Sequence, residues 1–156
     1  MNKIIILMRH GEAGFALRDF DRPLVEEGME KCQSQGLMLQ HHNVNLSAIV
    51  SSPAIRAFSS AIALASAMNY SESKIIADDK LYNAPAEVIL QVIKNFEDVW
   101  NTVLLVGHNP GISYLARSLC PQIVNDLDVG DLYLISFPLL HWSDIEMSQG
   151  QLLTYA

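Results

Sequence analysis

The chain has 156 residues, of which 50% are hydrophobic and 17% charged, a composition typical of a folded protein and not of a disordered one. Its formal net charge of −7 argues against broad electrostatic binding to nucleic acid or anionic lipid. An anionic substrate would therefore require a local cluster of arginines. No linker, repeat or low-complexity tract divides the sequence, and we expect a single domain over residues 1–156.

Three features bear on the cellular setting. No apolar run is long enough to span a bilayer, so we expect no membrane partner. The apolar run after Lys3 is interrupted by Arg9-His10 and lacks a small-residue cleavage site, so we expect no signal peptide. Cys32 and Cys120 are isolated and lack metal-type spacing, which fits a reducing interior. We predict a cytoplasmic protein.

The first half of the chain alternates predicted strands and helices. Residues 3–8 form a short apolar run that predicts a buried strand. Residues 24–41 predict a helix with Glu26 and Glu27 at its favourable amino end. Its apolar stripe is formed by Val25, Met29, Cys32, Gly36 and Leu39. Residues 48–50 predict a second strand, and residues 54–68 a second helix whose shared face carries Phe58, Ile62, Ala65 and Met68.

The second half continues this alternation and then changes character. Residues 74–77 predict a short strand, and a helix follows from Pro85 with a buried stripe of Ile89, Val92, Ile93 and Phe96. Residues 102–106 form the strongest predicted strand, before a helix over residues 110–119. Residues 132–137 and 145–155 predict antiparallel strands. This order predicts an α/β fold, a three-layer sandwich around a mostly parallel sheet with a short antiparallel C-terminal β tail.

Polar segments follow three of the predicted strands. They are Arg9-His10-Gly11, the stretch from Ser51-Ser52-Pro53 to Arg56, and Gly107-His108. Because parallel strands place their carboxyl ends at one edge of a sheet, where open α/β folds bind ligands, we expect these segments to converge. Arginine suits phosphate, histidine suits nucleophilic or acid–base chemistry, and helix amino ends favour anions. Together the segments predict a phosphate site.

In this order the segments resemble the histidine phosphatase superfamily, the phosphoglycerate-mutase-like group. Three further stretches resemble its short branch of SixA-type phosphohistidine phosphatases: Arg22-Pro23-Leu24 with Gly28, Gly107-His108-Asn109-Pro110, and Trp142-Ser143-Asp144-Ile145. The resemblance covers nearly the whole chain, with its motifs in the expected order.

The resemblance implies a role for each candidate site residue. His10 is implied as the nucleophile that accepts the phosphoryl group, and Arg9 and Arg56 as groups that bind its oxygens. His108 would complete the positive pocket and stabilise the transition state. Arg22 is implied as an additional phosphate or loop-anchoring contact. No metal and no organic cofactor are implied.

The chain departs from the resemblance at two places. The branch usually has threonine after Arg-Pro-Leu, where it can cap the following helix, whereas Val25 has no capping side chain. Larger members of the superfamily carry an insertion with a glutamate general acid, and here only the short segment of residues 78–87 is available. An imidazole leaves phosphorus more easily than an alkoxide once it is protonated. The short segment therefore favours phosphohistidine over a sugar phosphate.

The leading hypothesis is a metal-independent phosphatase that dephosphorylates phosphohistidine on a signalling or phosphotransfer protein through a phosphohistidine enzyme intermediate. Two alternatives stay open: a phosphatase or mutase for a small phosphorylated metabolite, and a non-catalytic module that binds phosphohistidine. The predicted partner is a protein with a phosphorylated histidine. The sequence leaves the oligomeric state open, and a monomer is compatible with it.

Overall fold

A six-stranded mixed sheet forms the centre of the fold in the computed structural model, which describes residues 2–153. The strands are β1 (Lys3–Arg9), β2 (Ala48–Ser51), β3 (Ile76–Ala77), β4 (Thr102–Gly107), β5 (Leu132–Phe137) and β6 (Gln151–Leu153). They lie in the order β3-β2-β4-β1-β5-β6. The first four in this order run parallel, β5 pairs antiparallel with β1, and β6 pairs antiparallel with β5. The predicted mostly parallel sheet with an antiparallel tail is confirmed.

Helices cover both faces of this sheet. They are α1 (Glu26–His41), α2 (Ile55–Ala67), α3 (Ala86–Lys94) and α4 (Gly111–Leu119). Alternate residues of β1 point to opposite faces, so Ile6 and Met8 pack with α1 and α2, while Ile5 and Leu7 pack with α3 and α4. The predicted three-layer sandwich is confirmed. None of the helices within residues 2–153 has the length and apolar character that crossing a bilayer requires.

The buried faces of the first two helices differ from the prediction. The buried residues of α1 are Gly28, Cys32, Gly36 and Leu39, whereas Met29 is exposed. In α2, Ala61 and Leu64 are fully buried, while Phe58 and Ile62 are only partly buried. The pattern of large apolar residues was misleading because α2 uses small side chains where it packs closely. The stripe predicted for α3 is confirmed.

The predicted strand over residues 145–155 is wrong in its first part. In the described part of this stretch only β6 pairs with β5, and residues 145–150 lie outside any strand. Ile145 is buried in the same core cluster as Trp142, so its apolar character reflects packing and not strand formation. Tyr155 lies outside the described residues. The strand predicted at residues 74–77 is also shorter, because Glu72–Lys74 forms a 3-10 helix before β3.

The turn that leads into α1 holds the segment that follows β1. The backbone N–H of Val25 donates to the Glu12 carbonyl at 2.9 Å, and Ala13 forms an antiparallel bridge with Leu24. A Cβ on Gly28 would lie 2.7 Å from the Glu12 carbonyl oxygen, so only glycine allows α1 to approach this backbone so closely. The start of α1 therefore fixes the path of the chain just beyond the end of β1.

Val25 is the N-cap of α1, with extended backbone angles (φ −80°, ψ 164°) and no capping hydrogen bond from its side chain. Threonine has nearly the same shape and adds a hydroxyl that can accept from the N–H of Glu27 or Gly28. We expect Val25→Thr to raise the free energy of unfolding by about 1 kcal/mol, measured by chemical denaturation. Val25→Ala, which adds no acceptor, is the control. A threonine variant no more stable than wild type would contradict the predicted cap.

Candidate active site

The carboxyl ends of β1, β2 and β4 meet at one edge of the sheet. Arg9 is the last residue of β1 and pairs with Gly107 at the end of β4, while the His10 N–H donates to the Gly107 carbonyl at 3.1 Å. Arg56 lies in the first turn of α2, just after β2. The five predicted residues line one cavity of about 400 Å³, together with Glu12, Ala13, Asn83, Asn109 and Val129. The predicted convergence is confirmed.

The contacts of His10 leave one of its two ring nitrogens unprotonated. Its Nδ1 lies 2.7 Å from the Gly11 carbonyl oxygen, which can only accept, so Nδ1 carries the proton. The unprotonated Nε2 accepts from Nε of Arg56 at 3.4 Å. Burial lowers the pKa of His10 to about 4, and the charge of Arg56 adds to this effect. The imidazole is therefore neutral at neutral pH.

His108 lies beside His10, with 5.1 Å between the ring centroids. Its Nδ1 is 3.3 Å from Nη2 of Arg56, which can only donate, so Nδ1 is an acceptor. The other nitrogen, Nε2, therefore carries the proton and donates to Oγ of Ser52 at 2.7 Å. Burial lowers the pKa of His108 to about 3, with further contributions from His10 and Arg56. Both imidazoles are thus neutral and have fixed tautomers.

The guanidinium of Arg56 lies between these rings and is only 3% exposed. Besides the two imidazoles, it donates from Nη1 to the backbone carbonyl of Asp19 at 2.8 Å. From Nη2 it donates to Oδ2 of the same residue at 3.0 Å. A buried charge is tolerated only when it is paired and hydrogen-bonded, and Asp19 meets that requirement.

Asp19 and Tyr82 are site residues that the sequence reasoning missed. The Tyr82 hydroxyl donates to Oδ2 of Asp19 at 2.6 Å. Nη1 of Arg22 lies 3.5 Å from Oδ1 of Asp19. The hydrogen bond from Tyr82, with the one from Arg56, holds the pKa of Asp19 well below its usual range. The same bond raises the pKa of Tyr82. Asp19 lies three residues before the predicted site residue Arg22, and this spacing could have indicated their ion pair. Tyr82 lies in a distant loop, and no local pattern links it to the site.

Arg9 has donor capacity left over. Its Nη1 donates to the Leu127 carbonyl at 3.2 Å, but its Nε is buried and has no hydrogen-bond partner among the described residues. A buried N–H without a partner is costly, and Arg9 also lines the cavity, where its guanidinium suits an acceptor such as a phosphate oxygen. Arg22 donates from Nε to the Gly14 carbonyl at 2.9 Å and thereby anchors the loop.

The cavity is locally cationic in a protein of net charge −7, because three arginines line it. The acidic side chain on its lining is the exposed Glu12. Within residues 2–153, no group of three or more His, Cys, Asp or Glu side chains is placed to hold a metal ion. The arrangement provides a neutral imidazole beside guanidinium groups, which suits nucleophilic attack on a bound phosphoryl group.

The fold is similar to that of solved phosphatases. A SixA-named protein from Nakamurella multipartitia superposes with a TM-score of 0.85 at 25% identity, over 99% of this chain and 95% of that one. In sequence, the phosphohistidine phosphatase SixA of Escherichia coli is 27% identical over 121 residues, 75% of this chain and 74% of that protein. An uncharacterized Mycobacterium tuberculosis protein is 27% identical over 152 residues, 89% of this chain and 92% of that protein.

The model of the histidine phosphatase superfamily (branch 1) matches residues 5–85, slightly more than half of the chain. The matched region contains Arg9, His10, Arg22 and Arg56, and His108 follows beyond it. On this match, with the fold and the cavity in agreement, the chain belongs to the histidine phosphatase superfamily, branch 1.

Proposed function

We propose that this chain is a phosphohistidine phosphatase that uses Nε2 of His10 as its nucleophile and acts on a histidine-phosphorylated signalling or phosphotransfer protein. The superfamily match and the likeness to SixA support a phosphatase. The observation that carries the proposal is the neutral His10 imidazole, whose Nδ1–H donates to Gly11 and whose Nε2 lies in the arginine-lined cavity. The free, buried Cys32 and Cys120 support a reducing compartment, and we propose the cytoplasm.

The reaction proceeds in two transfers. Nε2 of His10 attacks phosphorus, the Nε2–P bond forms, and the N–P bond of the substrate breaks. The substrate imidazole, protonated on its other nitrogen, leaves as neutral imidazole and needs no proton from the enzyme. Water then attacks the phosphohistidine intermediate, the Nε2–P bond breaks, and the proton of the water passes to the phosphate product. His10 returns to its starting form because the proton stays on Nδ1 throughout, hydrogen-bonded to the Gly11 carbonyl.

The arginines supply charge stabilisation in this scheme. Arg9 lines the cavity and offers its guanidinium to a phosphate oxygen, and Arg56 offers a guanidinium already placed against Nε2 of His10. His108 contacts the same guanidinium through Nδ1 and, as a neutral ring, orients the positive charge of Arg56 without adding one of its own. Arg22 acts at the rim, where it also anchors the loop. Phosphoryl transfer depends mainly on alignment and electrostatic stabilisation, so the scheme needs no metal ion.

Asp19, the carboxylate paired with Arg56, is not suited to protonate a poor leaving group. Asp19 is bonded to Arg56 and Tyr82, and its lowered pKa keeps it a carboxylate that is poorly suited to donate a proton. An alkoxide leaving group would need such a donor, whereas a protonated imidazole does not. This difference supports phosphohistidine over an alcohol monoester such as a sugar phosphate.

Phosphoenzyme labelling tests the nucleophile. We expect wild-type protein incubated with a labelled phosphohistidine protein, or with labelled phosphoramidate, to carry label that acid removes and alkali does not. His10→Ala should carry no label and show no turnover, because the attacking nitrogen is gone. His41→Ala is the control, since His41 is an exposed histidine at the end of α1. Full turnover by His10→Ala would disprove the mechanism, and binding of phosphoprotein without label or turnover would instead favour a binding module.

The planar guanidinium of Arg56, with its several N–H donors, should contribute more to kcat/KM than its positive charge alone. Arg56→Lys keeps one positive charge but cannot contact both imidazoles and Asp19 at once. We expect kcat/KM to fall by about 100-fold, as for the loss of one transition-state donor. Arg18→Lys is the matched control, because Arg18 is exposed and its ion pair with Asp21 lies at the surface. Equal kcat/KM for the Arg56→Lys variant and wild type would show that a single positive charge suffices and would contradict the need for the guanidinium fork.

The protonation of the two histidines can be followed by NMR. The pKa of His10 is lowered from 6.5 to about 4 and that of His108 from 6.5 to about 3, because burial favours the neutral ring. We expect neither ring resonance to shift between about pH 8 and about pH 5. His10→Ala and His108→Ala assign the signals. Titration of either ring near 6.5 would contradict the buried neutral pair.

The same shifts set the sign of the pH dependence of stability. A histidine with a lowered pKa in the folded protein binds protons more readily when unfolded. The free energy of unfolding should therefore be highest above pH 6.5 and fall as the pH decreases from 6.5 through about 4. This loss should be smaller in His108→Ala than in wild type, measured by denaturation at a series of pH values.

A further inference from the structure

A second cavity opens beside the phosphate cavity, and nothing described so far gives it a role. This side cavity has a volume of about 380 Å³ and is lined chiefly by Ala84, Pro85, Ala86, Pro110, Gly111 and Tyr114. Its volume falls at the lower end of the range of ligand pockets in proteins. We propose that the side cavity receives an apolar side chain of the protein that carries the phosphorylated histidine. This inference rests on the proposed function and specifies how that partner is recognised.

The side cavity adjoins the phosphate cavity along two stretches of chain. Asn83 lines both cavities. Asn109 lines the phosphate cavity, and the next residue, Pro110, lines the side cavity. A phosphohistidine side chain in the first cavity would therefore bring neighbouring side chains of its own protein to the second. Because the two cavities adjoin, the occupant that fits best is part of the same molecule as the phosphoryl group.

The side cavity is built on fixed backbone. A Cβ on Gly111 would lie 2.0 Å from the carbonyl oxygen of Ala84, so the start of α4 is in contact with the segment before α3. Pro85 and Pro110 further restrict the backbone on each side. Binding to such a preformed surface loses little conformational entropy in the enzyme.

The chemistry of the lining selects the occupant. Alanine, proline and the face of Tyr114 offer apolar contact, which the polar hydroxyls of a small sugar phosphate would not use well. The charged side chain on the lining is Glu87, which disfavours an acidic occupant. Tyr114 is 57% exposed in the free protein, so an apolar occupant would cover a side chain that otherwise faces water. The occupant is therefore an aliphatic or aromatic residue near the phosphohistidine.

Short synthetic peptides with a single histidine, phosphorylated by phosphoramidate, test this specificity. The reference peptide has alanine at all positions except the histidine. In each of the other peptides, one alanine next to the histidine is replaced by leucine or by glutamate, and each flanking position is tested separately. For wild-type protein, we expect kcat/KM for the best leucine peptide to exceed that of the alanine peptide by about tenfold or more, from burial of the leucine side chain. Glutamate at the same position should give the lowest kcat/KM.

Tyr114→Glu places a carboxylate on the wall of the side cavity at an exposed position, where the fold should tolerate it. We expect this variant to lose the leucine preference while its turnover of free phosphoramidate stays unchanged, because Tyr114 does not line the phosphate cavity. Leu140→Glu is the matched control, since Leu140 is 67% exposed. Leu140 follows β5, which ends at Phe137. Phe137 pairs with Lys3 at the amino end of β1, whereas the phosphate cavity lies at the carboxyl end of that strand. This control should keep the preference.

The outcomes separate the two proposals. Equal kcat/KM for all peptides with wild-type protein, or a leucine preference that survives Tyr114→Glu, would overturn the side-cavity proposal and leave the phosphatase in place. Turnover of phosphoramidate without turnover of any phosphopeptide would overturn both the subsite and the phosphohistidine substrate. A leucine preference removed by Tyr114→Glu and kept by Leu140→Glu would establish the subsite.

Discussion

The arrangement of the site depends on one buried guanidinium group. Arg56 is almost fully inaccessible to water, and removing such a charge from water costs several kcal/mol unless it is paired and fully hydrogen-bonded. The Asp19 carboxylate and carbonyl supply the pairing, and the rings of His10 and His108 supply two further acceptors. Because an imidazole accepts only through an unprotonated nitrogen, the contacts with Arg56 require Nε2 of His10 and Nδ1 of His108 to carry no proton. The tautomer of His108 thus follows from its contact with Arg56, and that of His10 from Arg56 and the Gly11 carbonyl together.

The rest of the fold places the groups that this guanidinium joins. Parallel pairing of β1 with β4 sets Arg9 beside Gly107, and His10 and His108 follow those strands at the same level. The chain leaves β2 through Ser52, whose Oγ both accepts from the Ala54 N–H and contacts Nε2 of His108. On the other side, the start of α1 packs against the backbone after His10. The contacts of β1 with β4 and of Ser52 with His108 join segments far apart in sequence.

The sequence predicted the parts of the site that depend on local pattern. Arg9, His10, Arg56 and His108 each follow a recognisable apolar strand, so strand order alone brought them to one edge. Tyr82 could not be found in this way, because its contact with Asp19 joins two loops whose relative position depends on tertiary packing. The buried face of α2 was missed for a related reason. Alanines carry little hydrophobic signal, yet they allow the closest packing.

The strand β3 has a consequence for how the molecule can meet other proteins. A sheet edge with unpaired backbone groups is a template for strand addition, and long exposed edges promote aggregation. At this edge the outermost strand is β3, with only Ile76 and Ala77, so the template is too short for a stable ladder with another chain. Association here must therefore depend on side-chain contacts, which can be selective for one partner in a way that backbone pairing cannot.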